Sequence, residues 1–245
     1  MPREIGRLRQ VLRGPALPFT RPGSLSGIGK TSVEDAVRVS ATGLDGDEQG
    51  DLRVHGGPDK AVHVYPWAHY PSWRSLLKGN AQAIDLLRHP GAFGENFSLD
   101  DQTPSGEPID EHTVCIGDRW LIGNALFEVS QGRQPCWKLN DRFAQADMAA
   151  QLQRSLRTGW YLRVLDTGSV RAGDPILLVA RPHGDWPLAR LLRVIADRDT
   201  DATLLREVLT LPLPPSWIKL FARRLESGEV ESWVNRMAGP AESGR

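Results

Sequence analysis

The 245-residue sequence predicts a mainly β domain followed by a small all-α module of three helices. Short apolar runs with strand-like alternation recur from Ile5 to Val179, as expected for half-buried strands. Glycine (24), proline (18) and tryptophan (8) are plentiful, which suits a loop-rich β architecture better than a helical bundle. Past Arg181-Pro-His-Gly-Asp-Trp-Pro187 the strands stop, and apolar residues recur at three- and four-residue spacing. The expected boundaries are a β domain over residues 1–183 and a helical module over 187–236.

Several function classes drop out on composition. The 30 Lys and Arg balance the 30 Asp and Glu, so no basic excess points to nucleic acid. No run approaches the ~20 apolar residues of a membrane span, and the N-terminus lacks the apolar core of a signal peptide. The 2 cysteines cannot form a disulfide framework, which favours a reducing compartment. The expectation is a soluble cytoplasmic protein that binds neither nucleic acid nor membrane.

Taken in order, Ile5 to Leu12 reads as a strand, followed by a Pro/Gly-rich loop through Gly29. Within that loop Ser26-Gly-Ile-Gly-Lys-Thr31 falls short of a phosphate-binding P-loop, because Ser24 stands where the first glycine is required. Lys30 is expected to be a solvated loop lysine. Val33 to Val39 reads as one strand, and Thr42 to Gly50 as a solvated polar turn whose Asp45, Asp47 and Glu48 lack EF-hand spacing. Apolar runs at Leu52–Val54 and Ala61–Tyr65 flank His55-Gly-Gly-Pro-Asp-Lys60. Paired glycines let backbone approach a ligand closely. His55, Asp59 and Lys60 then form either a donor-rich loop for an anionic or polar heterocyclic ligand, or an ordinary turn with exposed charges. His55, His63 and His69 do not have a zinc spacing.

Pro71 to Leu87 carries the pattern of one helix, ended by His89-Pro-Gly. A glycine-bearing loop then presents Glu95 and Asn96. Val114 to Ile122 reads as strand-turn-strand, with Cys115 structural among apolar neighbours. Ala125 to Ser130 alternates as a strand; Gly132 and Pro135 break it and present Cys136. Arg133 lies three residues earlier, and a nearby guanidinium favours the thiolate, the nucleophilic and metal-binding form. Locally, a small buried hydrophobe remains the commoner fate of a lone cysteine.

Asp147 to Arg157 is an amphipathic helix with Gly159 at its C-terminal end, and Trp160–Leu165 and Pro175–Val179 are strands. The module's three helical faces are Leu188/Leu191/Leu192/Ile195, Leu204/Leu205/Val208/Leu209 and Trp217/Ile218/Phe221/Leu225. A DNA-reading role is disfavoured, because Glu207, Glu226 and Glu229 offset Lys219, Arg223 and Arg224.

Several of these segments together resemble the MOSC-domain proteins of the YiiM-like type: Gly43-Leu-Asp-Gly-Asp-Glu-Gln49, Val54-His-Gly-Gly-Pro-Asp-Lys-Ala-Val-His-Val-Tyr65, Phe93-Gly-Glu-Asn96, Ile116-Gly-Asp118, Ser130-Gln-Gly-Arg-Gln-Pro-Cys136, Gly159-Trp-Tyr161 and Val170-Arg-Ala-Gly-Asp174. The resemblance spans nearly the whole chain. It implies a barrel-like β domain that binds the molybdenum cofactor, with Cys136 ligating the metal and taking part in catalysis. It makes His55, Lys60, Asn96 and Arg133 expected cofactor contacts, Lys60 and Arg133 being suited to the phosphate. It further implies reduction of N-hydroxylated compounds such as hydroxylaminopurines and amidoximes, with electrons from an external flavin or iron–sulfur partner. A sulfur carrier holding a persulfide on Cys136 and a non-enzymatic cofactor-binding protein are the alternatives. The family usually carries proline where this chain has Gly132, so the cysteine loop is expected to be more mobile or differently shaped.

Overall fold

The structure is a computed structural model describing residues 2–51, 55–100 and 103–239. Its first strands are β1 (Arg3–Arg13), β2 (Leu17–Pro18), β3 (Leu25–Ser26), β4 (Thr31–Val33), β5 (Val37–Ser40) and β6 (Gly43–Leu44). Then come β7 (Val62–Pro66), β8 (Phe97–Leu99), β9 (Arg119–Ile122), β10 (Ala125–Gly132), β11 (Trp160–Asp166), β12 (Gly168–Val170) and β13 (Pro175–Ala180). Seven of them run in the order β13-β9-β10-β11-β7-β8-β1, and β13 pairs with β1 to close a barrel. Closure removes the unpaired edges that an open sheet would expose. Only the β7–β8 pairing is parallel within this barrel. Trp120 and Trp160 meet edge to face at 5.9 Å, and Phe97 and Phe127 do so at 5.7 Å; all four are fully buried. Burying a large apolar side chain in this way contributes about 2–3 kcal/mol.

Helices α1 (Tyr70–Leu76), α2 (Ala81–Leu86), α3 (Lys138–Arg142) and α4 (Met148–Ser155) close one side of the barrel. They build a second apolar cluster in which Tyr65, Tyr70, Trp73 and Phe143 surround Phe93. The C-terminal module has α5 (Leu188–Ala196), α6 (Ala202–Val208) and α7 (Pro215–Ser227), followed by a short α8 (Val234–Ala238). Asp201 caps α6 by accepting from Leu204 N at 2.8 Å, and Pro215 occupies the first turn of α7. Leu188, Leu192, Val208 and Trp217 belong to the same apolar cluster as the barrel interior, so the module buries its face against the β domain. Among the described residues, no helix is long and apolar enough to cross a membrane.

Four expectations change. The single strand over Val33–Val39 is two: Glu34, Asp35 and Ala36 are all exposed, and β4 pairs with β1 while β5 pairs with β6 and β12. The single helix over Pro71–Leu87 is also two, because Asn80 starts α2 by accepting from Ala83 N at 3.0 Å. Val114–Ile116 is not a strand beyond one bridge from Cys115 to Pro187. The helix after Asp147 ends at Leu156 (φ 59) instead of at Gly159. β12, α3 and α8 are too short to show a period in the sequence. The apolar run Leu52–Val54 lies outside the described residues.

Candidate functional site

The loops that leave the barrel near the N-terminal end of β7 and the C-terminal end of β10 meet the β2–β3 hairpin and the turn after β6. Between them lies a cleft of ≈ 570 Å³, open mouth included. Cys136, His55, Lys60, Asn96 and Arg133 all line it. Asp59 turns away to pair with Arg163 at 2.9 Å. Cys115 is buried far along the chain beside Pro187 and Gly184, and burial pushes its thiol up to about 11.

Cys136 follows the end of β10 and is half-buried, with Sγ 3.6 Å from His55 Nε2. Burial, then the nearby cations Lys138, Lys60 and Arg133, pushes His55 down to about 4. Its imidazole is therefore neutral at neutral pH. Lys60 and Lys138 are both lowered by burial, and Lys138 donates to Leu25 O at 2.6 Å. Arg133 is anchored by its backbone N–H to Gly159 O at 2.9 Å. Arg133 is buried, 6% exposed, and its Nη1 has no hydrogen-bond partner. His63 is buried alongside with Nε2 likewise unpartnered. Buried polar atoms are normally satisfied, so unpartnered atoms on the cleft-lining residues His55 (Nδ1), His63 and Arg133 are compatible with a polar ligand here. Charge and unpartnered atoms together suit an anionic group, and the half-buried thiol beside them suits a soft metal.

Asn96 holds the wall instead of presenting a free donor. Its Oδ1 accepts from His63 N at 3.0 Å, and its Nδ2 donates to Leu12 O at 3.2 Å and Asp47 Oδ2 at 2.9 Å. Two residues read as solvated prove buried. Lys30 and Asp47 form an ion pair inside the cleft wall, their side chains 6% and 1% exposed. Lys138, His63 and Tyr161 also line the cleft without having been singled out. Lys138, two residues after Cys136, was the one a sequence argument could have found.

Gly132 lies in the strand that precedes the cysteine loop. It is the last residue of β10, paired with Trp160, and a Cβ there would lie 2.6 Å from Leu192 Cδ2 on α5. Glycine is what lets the helical module settle against the cysteine strand. Gly132→Pro is expected to destabilise the chain by about 1–3 kcal/mol through overpacking. Leu192→Ala in the same chain should restore much of that; a double-mutant cycle on thermal midpoints reads the coupling, and strict additivity would refute the contact as its cause.

The neutral His55 also predicts acid lability. Its folded pKa is depressed, so the unfolded chain takes up the proton first as pH falls. Its contribution is complete above about pH 6.5 and is lost as pH falls toward about 4, at a cost of roughly 2–3 kcal/mol. His63, held neutral by burial, acts in the same direction. His55→Gln should flatten part of the midpoint-against-pH curve between those limits; an unchanged curve would show that His55 titrates normally.

A MOSC domain model matches residues 51–177, and a YiiM-like 3-alpha helix domain model matches residues 186–228. Protein YiiM of Escherichia coli (strain K12) is 35% identical over 218 residues, covering 89% of this chain and 92% of that protein. A crystal structure of E. coli YiiM covers 95% of this chain and 99% of its own, at 29% identity and a TM-score of 0.77. A protein of Gibberella moniliformis (strain M3125 / FGSC 7600) named "Reductase" is 37% identical over 224 residues; the match covers 91% of this chain but only 38% of that relative. With the MOSC domain and the helical module matched along one chain, this protein belongs to the MOSC-domain family, in its YiiM-like form with a C-terminal three-helix domain.

Proposed function

We propose that this protein is a molybdenum-cofactor-dependent reductase of N-hydroxylated compounds, hydroxylaminopurines and amidoximes among them, supplied with electrons by an external flavin or iron–sulfur partner. The observation that carries the reading is a half-buried thiol in a cationic cleft beside an unpartnered arginine nitrogen. When bound, the cofactor supplies two-electron oxygen-atom chemistry. Cys136 is the soft ligand for its metal. Arg133, Lys60 and Lys138 face its phosphate, where a guanidinium gives paired hydrogen bonds and the ammonium groups give point charge. His63 lines the same cleft. Asn96 and the Lys30–Asp47 pair keep these groups in register by fixing the wall.

Reducing an N–OH group to N–H consumes two electrons and two protons and releases water. His55, neutral and with Nε2 3.6 Å from Cys136 Sγ, is placed to accept the proton that the Cys136 thiol gives up on ligating a metal. With 2 cysteines in the whole sequence, the chain cannot ligate an iron–sulfur cluster through four thiolates of its own. Electrons must come from elsewhere.

The test is expression in a host that makes the cofactor. Molybdenum per chain is read by plasma mass spectrometry, pterin by fluorescence after oxidation, and turnover by loss of a hydroxylaminopurine or an amidoxime under a chemical reductant. Molybdenum, pterin and turnover together are expected. Bound cofactor without turnover under any reductant would leave a binding module. Metal-free folded protein with an extra sulfur on Cys136 would replace the reductase with a sulfur carrier.

A further inference from the structure

The chain returns to the cleft after its third module helix. α8 lies beyond the segment matched to the three-helix domain. It buries none of its own side chains fully, so apolar packing does not explain why it sits where it does. Polar contacts with the cysteine loop do. Arg236 donates from Nη1 to Pro135 O at 2.7 Å and from Nη2 to Gln153 Oε1 at 2.8 Å. Its own carbonyl accepts from Trp137 N at 2.8 Å. Both sequence neighbours of Cys136 are thus bonded to one residue 100 positions away in the chain. Next to them, Asn140 Nδ2 donates to Met237 O at 2.8 Å, and Arg21 Nη1 to Ala238 O at 2.9 Å.

Arg236 is itself backed by a relay. Its guanidinium lies over the Trp233 ring at 5.5 Å, and Trp233 Nε1 donates to Glu231 Oε1 at 2.6 Å. Glu231 is gripped by both sides of the Arg224 guanidinium at 2.9 and 2.8 Å. Arg224, 1% exposed, also donates to Val194 O at 2.8 Å and Asp199 O at 3.1 Å. The basic residue once weighed as part of a DNA-reading face is therefore an internal anchor, and its line of contacts runs from the module core to the peptide groups around Cys136.

We infer that Arg236 is a positioning residue for Cys136, and that α8 is a strap through which the helical module fixes the cysteine loop. Two N–H groups of one rigid planar fork reach two different elements, the loop at Pro135 and α4 at Gln153. That fixes the loop against a helix, a task a single flexible donor does poorly. The strap's effect on the cofactor rests on the proposed ligation by Cys136; its effect on the thiol does not.

The test uses the full chain with Arg236→Ala, Arg236→Gln and, as a comparison, Gln153→Leu. Three quantities are read: molybdenum and pterin retained through gel filtration, the rate at which iodoacetamide alkylates Cys136 in cofactor-free protein, and the thermal midpoint. Arg236→Ala should lower retained molybdenum by roughly tenfold, the scale on which supporting contacts of metal ligands act. It should change the alkylation rate several-fold while the protein stays folded. Gln153→Leu, which frees one arm of the fork but leaves the Pro135 and Trp137 bonds in place, should have a clearly smaller effect than Arg236→Ala on both. Native retention and native alkylation in Arg236→Ala overturn the inference, as does an equal effect from Gln153→Leu. Should Arg236→Ala fail to fold, Arg236→Gln decides by the same two readouts. If the native chain carries no molybdenum, the cofactor reading fails and the alkylation comparison alone decides the strap.

Discussion

Cys136→Ala is expected to leave a folded protein with at least about tenfold less molybdenum per chain than native. The substitution removes one small, half-buried side chain, with Sγ 3.6 Å from His55 Nε2, so little packing is lost with it. Under the proposed ligation the metal would lose its soft protein ligand, and supporting contacts alone are already worth tenfold or more. Arg133, Lys60 and Lys138 remain to hold the phosphate, so some pterin should persist after the metal has gone. That separation is the informative result. Plasma mass spectrometry and pterin fluorescence on the same sample measure it, with the thermal midpoint as a folding control. Molybdenum retained at the native level in Cys136→Ala would sink the ligand assignment, whatever the protein's activity. Cys136→Ser serves as a second variant, since an alkoxide is a harder and far less acidic ligand than a thiolate and should not restore the metal.

The barrel was legible wherever one face of a strand is buried and the other is not, because alternation survives in the sequence. β1, β11 and β13 show this pattern. β10 was legible through Ser130; its last two residues, Gln131 and Gly132, are buried but carry no apolar alternation. The closing pair β13–β1 joins residues at opposite ends of the domain and leaves no local trace. The same holds in the site. Cys136 and His55 carry their own chemistry and can be singled out by type. Lys30 and Asp47 could not, because an acidic turn and a glycine-loop lysine look solvated until the fold closes them on each other. Arg236 is legible only in three dimensions: nothing in Asn235-Arg-Met237 announces that its partner is Pro135. Gly132 was noticed for the freedom glycine confers, whereas its structural role is the absence of a side chain where Leu192 needs room.

Gly159→Ala is expected to cost about 3–4 kcal/mol, or roughly 10 °C of thermal midpoint for a chain of this size. Two penalties coincide there. Gly159 has φ +70, the left-handed region, where a Cβ costs about 1–2 kcal/mol. The added Cβ would also lie 2.3 Å from Val64 O, a backbone atom of a barrel strand that cannot swing aside as a side chain can. Nor can Gly159 move away freely. Its N–H donates to Glu111 Oε1 at 2.7 Å, its carbonyl accepts from Arg133 N at 2.9 Å, and the next residue, Trp160, pairs with Val64. Glu111 in turn meets the buried His69 at 2.7 Å, so a shift would strip a partner from a buried carboxylate. Gly228 at the end of α7 supplies the control. Its φ is +68, but nothing lies within 4 Å of a Cβ built on it. Gly228→Ala should therefore cost only the conformational part, about 1 kcal/mol. The difference between the two variants measures the close approach itself, and equal losses would show that φ alone is responsible. Because Arg133 hangs from the Gly159 carbonyl, Gly159→Ala should also weaken anion binding in the cleft below the unfolding temperature, an effect Gly228→Ala should lack.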